Sequence, residues 1–117
     1  MRVIALVTVT VSLLVPTPTL ARMGRCRIEV DGRPYLSGRC NIEREADGSV
    51  QVGVGSADDK VKPSRHFAYV TSEGGGRGTA YWNGRDSGSH AHDPLGTVTR
   101  QGACWRNARA TICAWAQ

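Results

Sequence analysis

The chain of 117 residues contains no long amphipathic segment, no internal repeat and no linker-like stretch. These absences argue against a helical bundle, a repeat architecture and a chain of several domains. The most apolar run, residues 3–15, is shorter than the roughly 20 residues that a membrane-spanning helix needs, and no stop-transfer run follows it. We therefore expect no stable membrane anchor.

The apolar run has the setting of a secretory signal peptide. Met1 and Arg2 give it a short positive start, and prolines follow it. Thr19 and Ala21 are small residues placed three before and one before a cleavage point. We predict a signal peptide over residues 1–21, cleaved after Ala21, and a single β domain over residues 22–117. The alternative is an uncleaved N-terminal anchor or a buried strand.

The predicted mature chain is moderately basic and exported. Arg2 is the only charged residue among the first 21, so its removal lowers the formal net charge from +5 to +4. This charge favours acidic partners only mildly, and the basic residues are too scattered to indicate nucleic acid. No cysteine stands at the cleavage point for a lipid anchor. We predict a periplasmic or secreted protein that needs no cofactor, and the sequence leaves homo-oligomer formation open.

All four cysteines lie in the predicted mature domain, and an even number in a small exported protein indicates disulfides. Of the three possible pairings we favour Cys26–Cys40 with Cys104–Cys113. A hairpin turning at residues 108–109 would place Cys104 directly opposite Cys113, close enough for a bond. A zinc site of four thiolates is the alternative, but no Cys-x-x-Cys spacing favours it.

Alternating apolar and polar residues predict β-strands. Cys26, Ile28 and Val30 alternate with polar residues, and the same pattern recurs in residues 50–54. Turn dipeptides such as Asp31-Gly32 stand beside these runs. Further strands are predicted over residues 65–71, 79–82, 97–99 and 112–115. We expect an all-β fold, a small antiparallel β-barrel or sandwich of about eight short strands stapled by disulfides.

Two segments between the predicted strands are candidates for a helical turn and for a mobile loop. Residues 56–62 can form one helical turn with Ser56 as its N-cap, which Pro63 would end. The glycine-rich residues 74–78 are interpreted as a mobile hairpin end, since a phosphate-binding loop would need a following helix.

Three tryptophans are many for this length, and we interpret Trp82, Trp105 and Trp115 as core residues. Stacking on carbohydrate or on a protein partner is the alternative.

Two of the three histidines form a His-x-His pair within the polar, flexible residues 81–96. On an extended chain, His90 and His92 point to the same side. They can bind a metal with Asp86 or Asp93, but His-x-His alone is a weak signal, and we predict no metal site.

Nothing in the sequence predicts catalysis. It contains no Gly-x-Ser-x-Gly motif, and its cysteines are expected to be oxidised. The carboxylates of Glu43, Glu45, Asp58 and Asp59 are not placed across a cleft by any pattern in the sequence. We therefore predict no catalytic residue and no enzymatic activity.

The chain resembles the small exported bacterial inhibitors of c-type lysozyme, the periplasmic and membrane-bound lysozyme inhibitor group. The resemblance rests on Tyr81-Trp82-Asn83-Gly84, which is similar to the aromatic-Trp-x-x-Gly stretch of that family, and on residues 102–105 and 112–115. Here the glycine comes one residue sooner. The family's lysine is absent near this stretch, where Asn83 follows the tryptophan and Arg85 is the nearest cation.

The resemblance implies a compact antiparallel β-barrel with a loop that enters the active-site cleft of lysozyme and hydrogen-bonds its catalytic carboxylates. It places the contact in residues 85–92, with Arg85 as a cation and Ser89, His90 and His92 as hydrogen-bond donors. Tyr81 and Trp82 would support the base of the loop. The partner implied is c-type lysozyme. The alternative function is an envelope-binding module for anionic polysaccharide or lipopolysaccharide.

Overall fold

Eight β-strands make up the regular structure of the described residues, 2–11 and 20–115, of the computed structural model. Residues 2–11 adopt no regular structure, and their apolar side chains are exposed. The strands are β1 (Leu20–Val30), β2 (Arg33–Arg44), β3 (Val50–Val52), β4 (Ala68–Gly74), β5 (Arg77–Trp82), β6 (Asp93–Gln101), β7 (Cys104–Arg106) and β8 (Ala110–Trp115).

The strands form a closed antiparallel barrel in which each strand pairs with the next along the chain. Pairing of β8 with β1, from Arg25 opposite Trp115 to Val30 opposite Ala110, closes the sheet and leaves no open edge. The predicted all-β fold is confirmed, and of the two predicted architectures the barrel is the one formed.

The barrel has two ends that differ in their connections. The long-loop end carries the β1–β2 hairpin turn, residues 53–67 between β3 and β4, residues 83–92 between β5 and β6, and the β7–β8 turn. The short-turn end carries residues 45–49, 75–76 and 102–103. Residues that can form an extended site are therefore concentrated at the long-loop end.

Inward-facing side chains fill the barrel because side chains alternate between its two faces. Each fully buried aliphatic side chain contributes about 1.5–3 kcal/mol relative to exposure. Trp82 and Trp105 are also buried, which confirms their interpretation as core residues, whereas Trp115 is half-buried with the Arg25 guanidinium 5.3 Å from its ring centroid. The most deeply buried aliphatic residues are Ile28, Val30, Val52, Val70, Val98 and Ile112.

Both predicted disulfides are present. Cys26–Cys40 joins β1 to β2, and Cys104–Cys113 joins two residues that lie directly opposite each other on β7 and β8. The backbone N–H of Asn107 donates to the carbonyl of Ala110 at 3.0 Å, which closes the β7–β8 turn at the predicted residues 108–109. The local pairing argued from hairpin register is thus confirmed.

Turn chemistry explains the β1–β2 hairpin. Asp31 and Gly32, the two residues of its turn, both have positive φ, at 51° and 78°. This is the backbone that a two-residue hairpin turn requires and that Asp-Gly tolerates well. The bidentate contact of Arg109 with Asp31, at 3.1 and 3.2 Å, links this turn to the β7–β8 turn.

Several predicted boundaries differ in the structure. The strand predicted over residues 65–71 begins only at Ala68, because residues 65–67 make hydrogen bonds with Asn83 instead of a strand partner. Residues 56–62 form a polar turn that is not helical, in which the Ser56 hydroxyl accepts from the backbone N–H of Val61. The glycine-rich residues lie, as predicted, at a hairpin end, between β4 and β5.

The predicted signal peptide overlaps the described structure at two places. Its residues 1 and 12–19 lie outside the described residues, and the predicted cleavage point after Ala21 lies between the second and third residues of β1. Among the described residues, no helix is long and apolar enough to cross a membrane.

Candidate functional site

The segment singled out in the sequence, residues 81–96, runs from the end of β5 into the start of β6. Tyr81 and Trp82 lie on opposite faces of β5. Trp82 is 4% exposed in the core, with its ring centroid 4.8 Å from that of Tyr35, whereas Tyr81 is 38% exposed on the outside, opposite Tyr69. Of these two predicted site residues, Tyr81 is therefore accessible and Trp82 supports the loop from inside.

The loop between β5 and β6, residues 83–92, is fixed at its start by the side chain of Asn83. This side chain is 6% exposed and uses both of its polar atoms. Its Oδ1 accepts from the backbone N–H of Phe67 at 3.0 Å, and its Nδ2 donates to the carbonyls of Arg65 and Gly88 at 2.9 and 3.1 Å. Asn83 therefore ties the loop both to itself and to the end of the neighbouring loop.

His66 fixes Arg85, two residues further along the loop. It is 7% exposed, and its Nε2 donates a hydrogen bond to the carbonyl of Arg85 at 3.0 Å. Its ring lies 5.0 Å from that of Tyr35 and stacks beside Trp82 at 5.9 Å. The core aromatic cluster thus positions the backbone of Arg85 while the Arg85 side chain stays exposed.

Two further features hold the remainder of the loop. Backbone hydrogen bonds run from Ser87 to Gly84 and from Gly88 to Asn83, at 3.1 and 2.9 Å, and Ser87 adopts a left-handed conformation with φ of 51°. Ala91 is buried in a small apolar cluster with Val54 and Phe67. The loop is therefore attached to the rest of the barrel near both of its ends. The side chains that it leaves exposed include Arg85, Ser89, His90 and His92.

The histidine pair has the predicted orientation. The rings of His90 and His92 stack with centroids 5.1 Å apart and an interplanar angle of 15°, and both residues are exposed. Within the described part of the chain, no group of three or more His, Cys, Asp or Glu side chains is arranged to hold a metal ion. The pair therefore presents two adjacent imidazoles to solvent.

A shallow cavity of about 190 Å³ lies beside the loop. Ser89 forms its polar rim, and the neighbouring loop, residues 53–67, contributes apolar walls that include Val54 and Pro63. Phe67 and Tyr69 complete the lining, with ring centroids 6.1 Å apart. The sequence pattern does not point to residues 53–67 as part of the site, because nothing in a single sequence shows that this loop lies against Ser89.

The charges near the loop are mixed. Arg85 Nε lies 3.6 Å from the Asp86 carboxylate, and both side chains are largely exposed. Asp58, in the neighbouring loop, has its pKa lowered by the hydrogen bond from the Ser56 hydroxyl and by that from the backbone N–H of Lys60. The Asp58 carboxylate therefore stays ionised at neutral pH and adds negative charge at the same end of the barrel.

The acidic residues considered for glycoside cleavage are separated by the topology. Asp58 and Asp59 lie in residues 53–67 at the long-loop end, whereas Glu43 and Glu45 lie at the end of β2, at the short-turn end. These two pairs do not face each other across a common cleft.

Comparisons with known protein families, with characterised proteins and with solved structures found no match for this chain.

Proposed function

We propose that this protein is an exported inhibitor of c-type lysozyme that inserts residues 85–92 into the active-site cleft of the enzyme. The observation that carries the proposal is the loop itself: its backbone is anchored by Asn83, His66 and Ala91, while its donor side chains are exposed. A narrow loop of fixed shape with outward donors is the form that a cleft-filling inhibitor needs.

The chemistry of the target fits these side chains. Glycoside hydrolysis uses two carboxyl groups that flank the scissile bond. The Ser89 hydroxyl and the imidazole N–H groups of His90 and His92 can donate to carboxylate oxygens, and the Arg85 guanidinium adds a charge-assisted donor. In this proposal Tyr81 and the cavity beside Ser89 contact the rim of the enzyme cleft, and the buried Trp82 supports the loop.

Preorganisation supports tight binding despite an unfavourable net charge. C-type lysozymes are usually basic, and the predicted mature chain carries +4, so long-range attraction is absent. The anchored backbone lowers the entropy lost on binding, because the loop is already ordered. Asp58, Asp59 and Asp86 lie at the same end of the barrel and supply local negative charge.

The role of the loop in inhibition is tested by comparing two variants, each with two alanine substitutions. Ser89→Ala with His90→Ala removes two proposed donors, and Ser37→Ala with Thr97→Ala removes two exposed hydroxyls on the outer surface of the barrel. We expect the first to weaken inhibition by about 1–3 kcal/mol, roughly 5- to 150-fold in Kd, and the second to leave it unchanged. Equal inhibition by both variants would contradict the assignment of the loop.

Salt dependence separates this proposal from the alternative of binding an anionic envelope polymer. Binding that depends on charge attraction is screened as salt rises to physiological concentration, whereas a complex formed by desolvated hydrogen bonds is screened much less. We expect lysozyme inhibition to change little between low and physiological salt. Binding to lipopolysaccharide without lysozyme inhibition would favour the alternative.

Export is part of the same proposal. The two disulfides are consistent with an extracellular or periplasmic protein, since such bonds persist in oxidising compartments. The apolar side chains within residues 2–11 are exposed and do not belong to the barrel core. This is consistent with a leader peptide that is removed, because the folded domain does not need such a segment for its packing.

A further inference from the structure

Three arginines converge at the short-turn end of the barrel, opposite the proposed lysozyme-binding loop. Arg44 is the last residue of β2 and follows the inward-facing Cys40 and Ile42 at two-residue steps. Arg22 lies opposite Ile42 on β1. Because side chains alternate along a strand, both arginines belong to the row that faces the barrel axis.

The third arginine comes from β6. Arg100 follows the buried Val98 by two residues and lies opposite the buried Trp105 on β7. It therefore also belongs to the inward row, at the same end of the barrel. Its backbone N–H donates to the carbonyl of Gly76 at 2.8 Å, which fixes the position of the strand there. Three strands thus each carry an arginine in their inward rows at this end of the barrel.

The central member, Arg44, is half-buried and held in place. Its Nη2 donates to the carbonyl of Ala114 on β8 at 3.0 Å. The pKa of Arg44 is lowered, first by burial and then by the positive charges of Arg100 and Arg22. Arg44 therefore lies close enough to Arg100 and to Arg22 for their positive charges to act on it.

Among the described residues, no carboxylate forms an ion pair within 4 Å with Arg22, Arg44 or Arg100. The ion pairs within 4 Å in that part of the chain join Arg27 to Glu29, Arg85 to Asp86, and Arg109 to Asp31. Two acids near this end have other partners. Asp47 accepts from the backbone N–H of Ser49 at 2.8 Å, and Glu73 accepts from the Thr79 hydroxyl.

We propose that Arg22, Arg44 and Arg100 form a binding site for a phosphate group. A guanidinium presents a planar fork of N–H donors that matches the oxygens of phosphate, and three such groups around one anion relieve their mutual repulsion. The phosphate can come from free inorganic phosphate or from a phosphate-bearing lipid of the cell envelope. If the leader is removed after Ala21, Arg22 becomes the first residue, and its α-ammonium adds a further positive charge.

This site does not rest on lysozyme binding, because it lies at the other end of the barrel from residues 83–92. Loss of phosphate binding in a variant of the three arginines should leave lysozyme inhibition intact. The two proposals therefore succeed or fail separately.

The test is thermal unfolding and calorimetric titration of the oxidised protein with sodium phosphate, against sodium chloride at equal ionic strength. A ligand that binds only the folded state raises Tm with its concentration. We expect phosphate to raise Tm above the chloride control, and Arg22→Gln with Arg100→Gln to weaken phosphate binding at least tenfold. Both residues are exposed, so the fold should tolerate their substitution.

The matched control is Arg33→Gln with Arg106→Gln, two exposed arginines at the long-loop end. It changes the net charge equally, and we expect it to keep phosphate binding. Equal weakening in both double variants, or no difference between phosphate and chloride, would overturn the site. Arg44→Lys, which keeps the charge but loses the planar fork, should also weaken phosphate binding.

The source of the phosphate is tested with vesicles. Phosphatidylcholine vesicles that contain phosphatidic acid present a phosphate monoester at a surface, and pure phosphatidylcholine vesicles do not. Tighter binding to the former than to inorganic phosphate, lost in the Arg22 and Arg100 variant, would assign the site to a lipid headgroup. Binding to inorganic phosphate alone would assign it to the free anion.

Discussion

Single residues with long-range contacts determine the shape of the candidate site. Asn83 bonds to residues 65–67, and His66 bonds to Arg85, at sequence separations of 16 to 19 residues. The sequence shows both residue types but offers no periodicity that pairs them. The Cys104–Cys113 bond and the core tryptophans could be predicted, because a hairpin register and a small apolar core each restrict where such residues lie.

Asn83→Ala is expected to destabilise the protein and weaken lysozyme inhibition. The substitution leaves the Phe67 N–H without its partner, and a buried unpaired donor costs about 1–3 kcal/mol. For a domain of this size we expect Tm to fall by about 4–8 °C for each kcal/mol lost from the free energy of unfolding. Thermal unfolding and an inhibition titration measure the two effects.

Asn107→Ala is the matched control for Asn83→Ala. Asn107 also bonds backbone groups with its side chain, four of them where Asn83 bonds three, but it holds the β7–β8 turn against β6. We expect it to lower Tm while leaving inhibition at temperatures well below Tm intact. If both variants weakened inhibition equally, Asn83 would have no specific role in shaping the loop.

Stability is expected to decline in acid. Arg109 lowers the pKa of Asp31 chiefly through its hydrogen bond, and the Ser49 N–H and the Ser56 hydroxyl do the same for Asp47 and Asp58. These carboxyls bind protons less readily in the folded than in the unfolded state. Their contribution is therefore fully present above the unfolded value of about 3.9 and is lost as pH falls through the lower folded values.

Asp31→Asn tests this assignment, because asparagine tolerates the left-handed backbone of the turn while removing the charge. We expect its Tm to depend less steeply on pH below about 4 than that of the unaltered protein. The measurement is Tm from pH 7 to pH 2, and identical acid slopes would show that the contact with Arg109 contributes nothing.

At the scale of elements, strands with clean alternation could be predicted and irregular ones could not. The alternating residues of β1 and the Asp-Gly turn appear in the structure as expected, whereas β3 covers only residues 50–52 of the strand predicted over 50–54, since Gly53 adopts a left-handed backbone with φ of 80°. β6 is longer than its predicted residues 97–99, because Pro94 is accommodated beside a register shift on β5. The role of residues 53–67 was missed, since their importance comes from packing against another loop.

The β7–β8 hairpin should depend strongly on its disulfide. Each strand contributes few paired residues, and a disulfide stabilises chiefly by restricting the unfolded chain. We expect Cys104→Ala with Cys113→Ala to lower the free energy of unfolding by roughly 2–4 kcal/mol. Urea titration of the double variant measures this, and a loss well below 1 kcal/mol would show that the barrel holds the hairpin without the bond.

At the scale of the whole molecule, closure of the barrel could not be derived from local patterns. It depends on pairing of β1 with β8, whose paired residues are 80 to 90 positions apart in the sequence. A sandwich and a barrel built from the same strands have the same alternation of apolar and polar residues. The sequence pattern therefore cannot distinguish between them. The separation of the proposed loop from the arginine group likewise follows only from the closed topology.

Removal of the predicted leader is expected to leave the barrel as a whole intact. Cleavage after Ala21 would remove Leu20 and Ala21 from β1 but leave its pairing with β8, which begins at Arg25. We therefore expect the exported protein to start at Arg22 and to keep the barrel. Mass spectrometry of protein recovered from the periplasm or medium measures this, and an intact leader on folded, exported protein would contradict it.

The central claim is that the anchored loop at the long-loop end inhibits c-type lysozyme. The most direct measurement is a lysis assay in which c-type, g-type and i-type lysozymes are each titrated with the oxidised protein at physiological salt. The account predicts stoichiometric loss of activity for the c-type enzyme. Full activity of the c-type enzyme at a molar excess of the protein would contradict it.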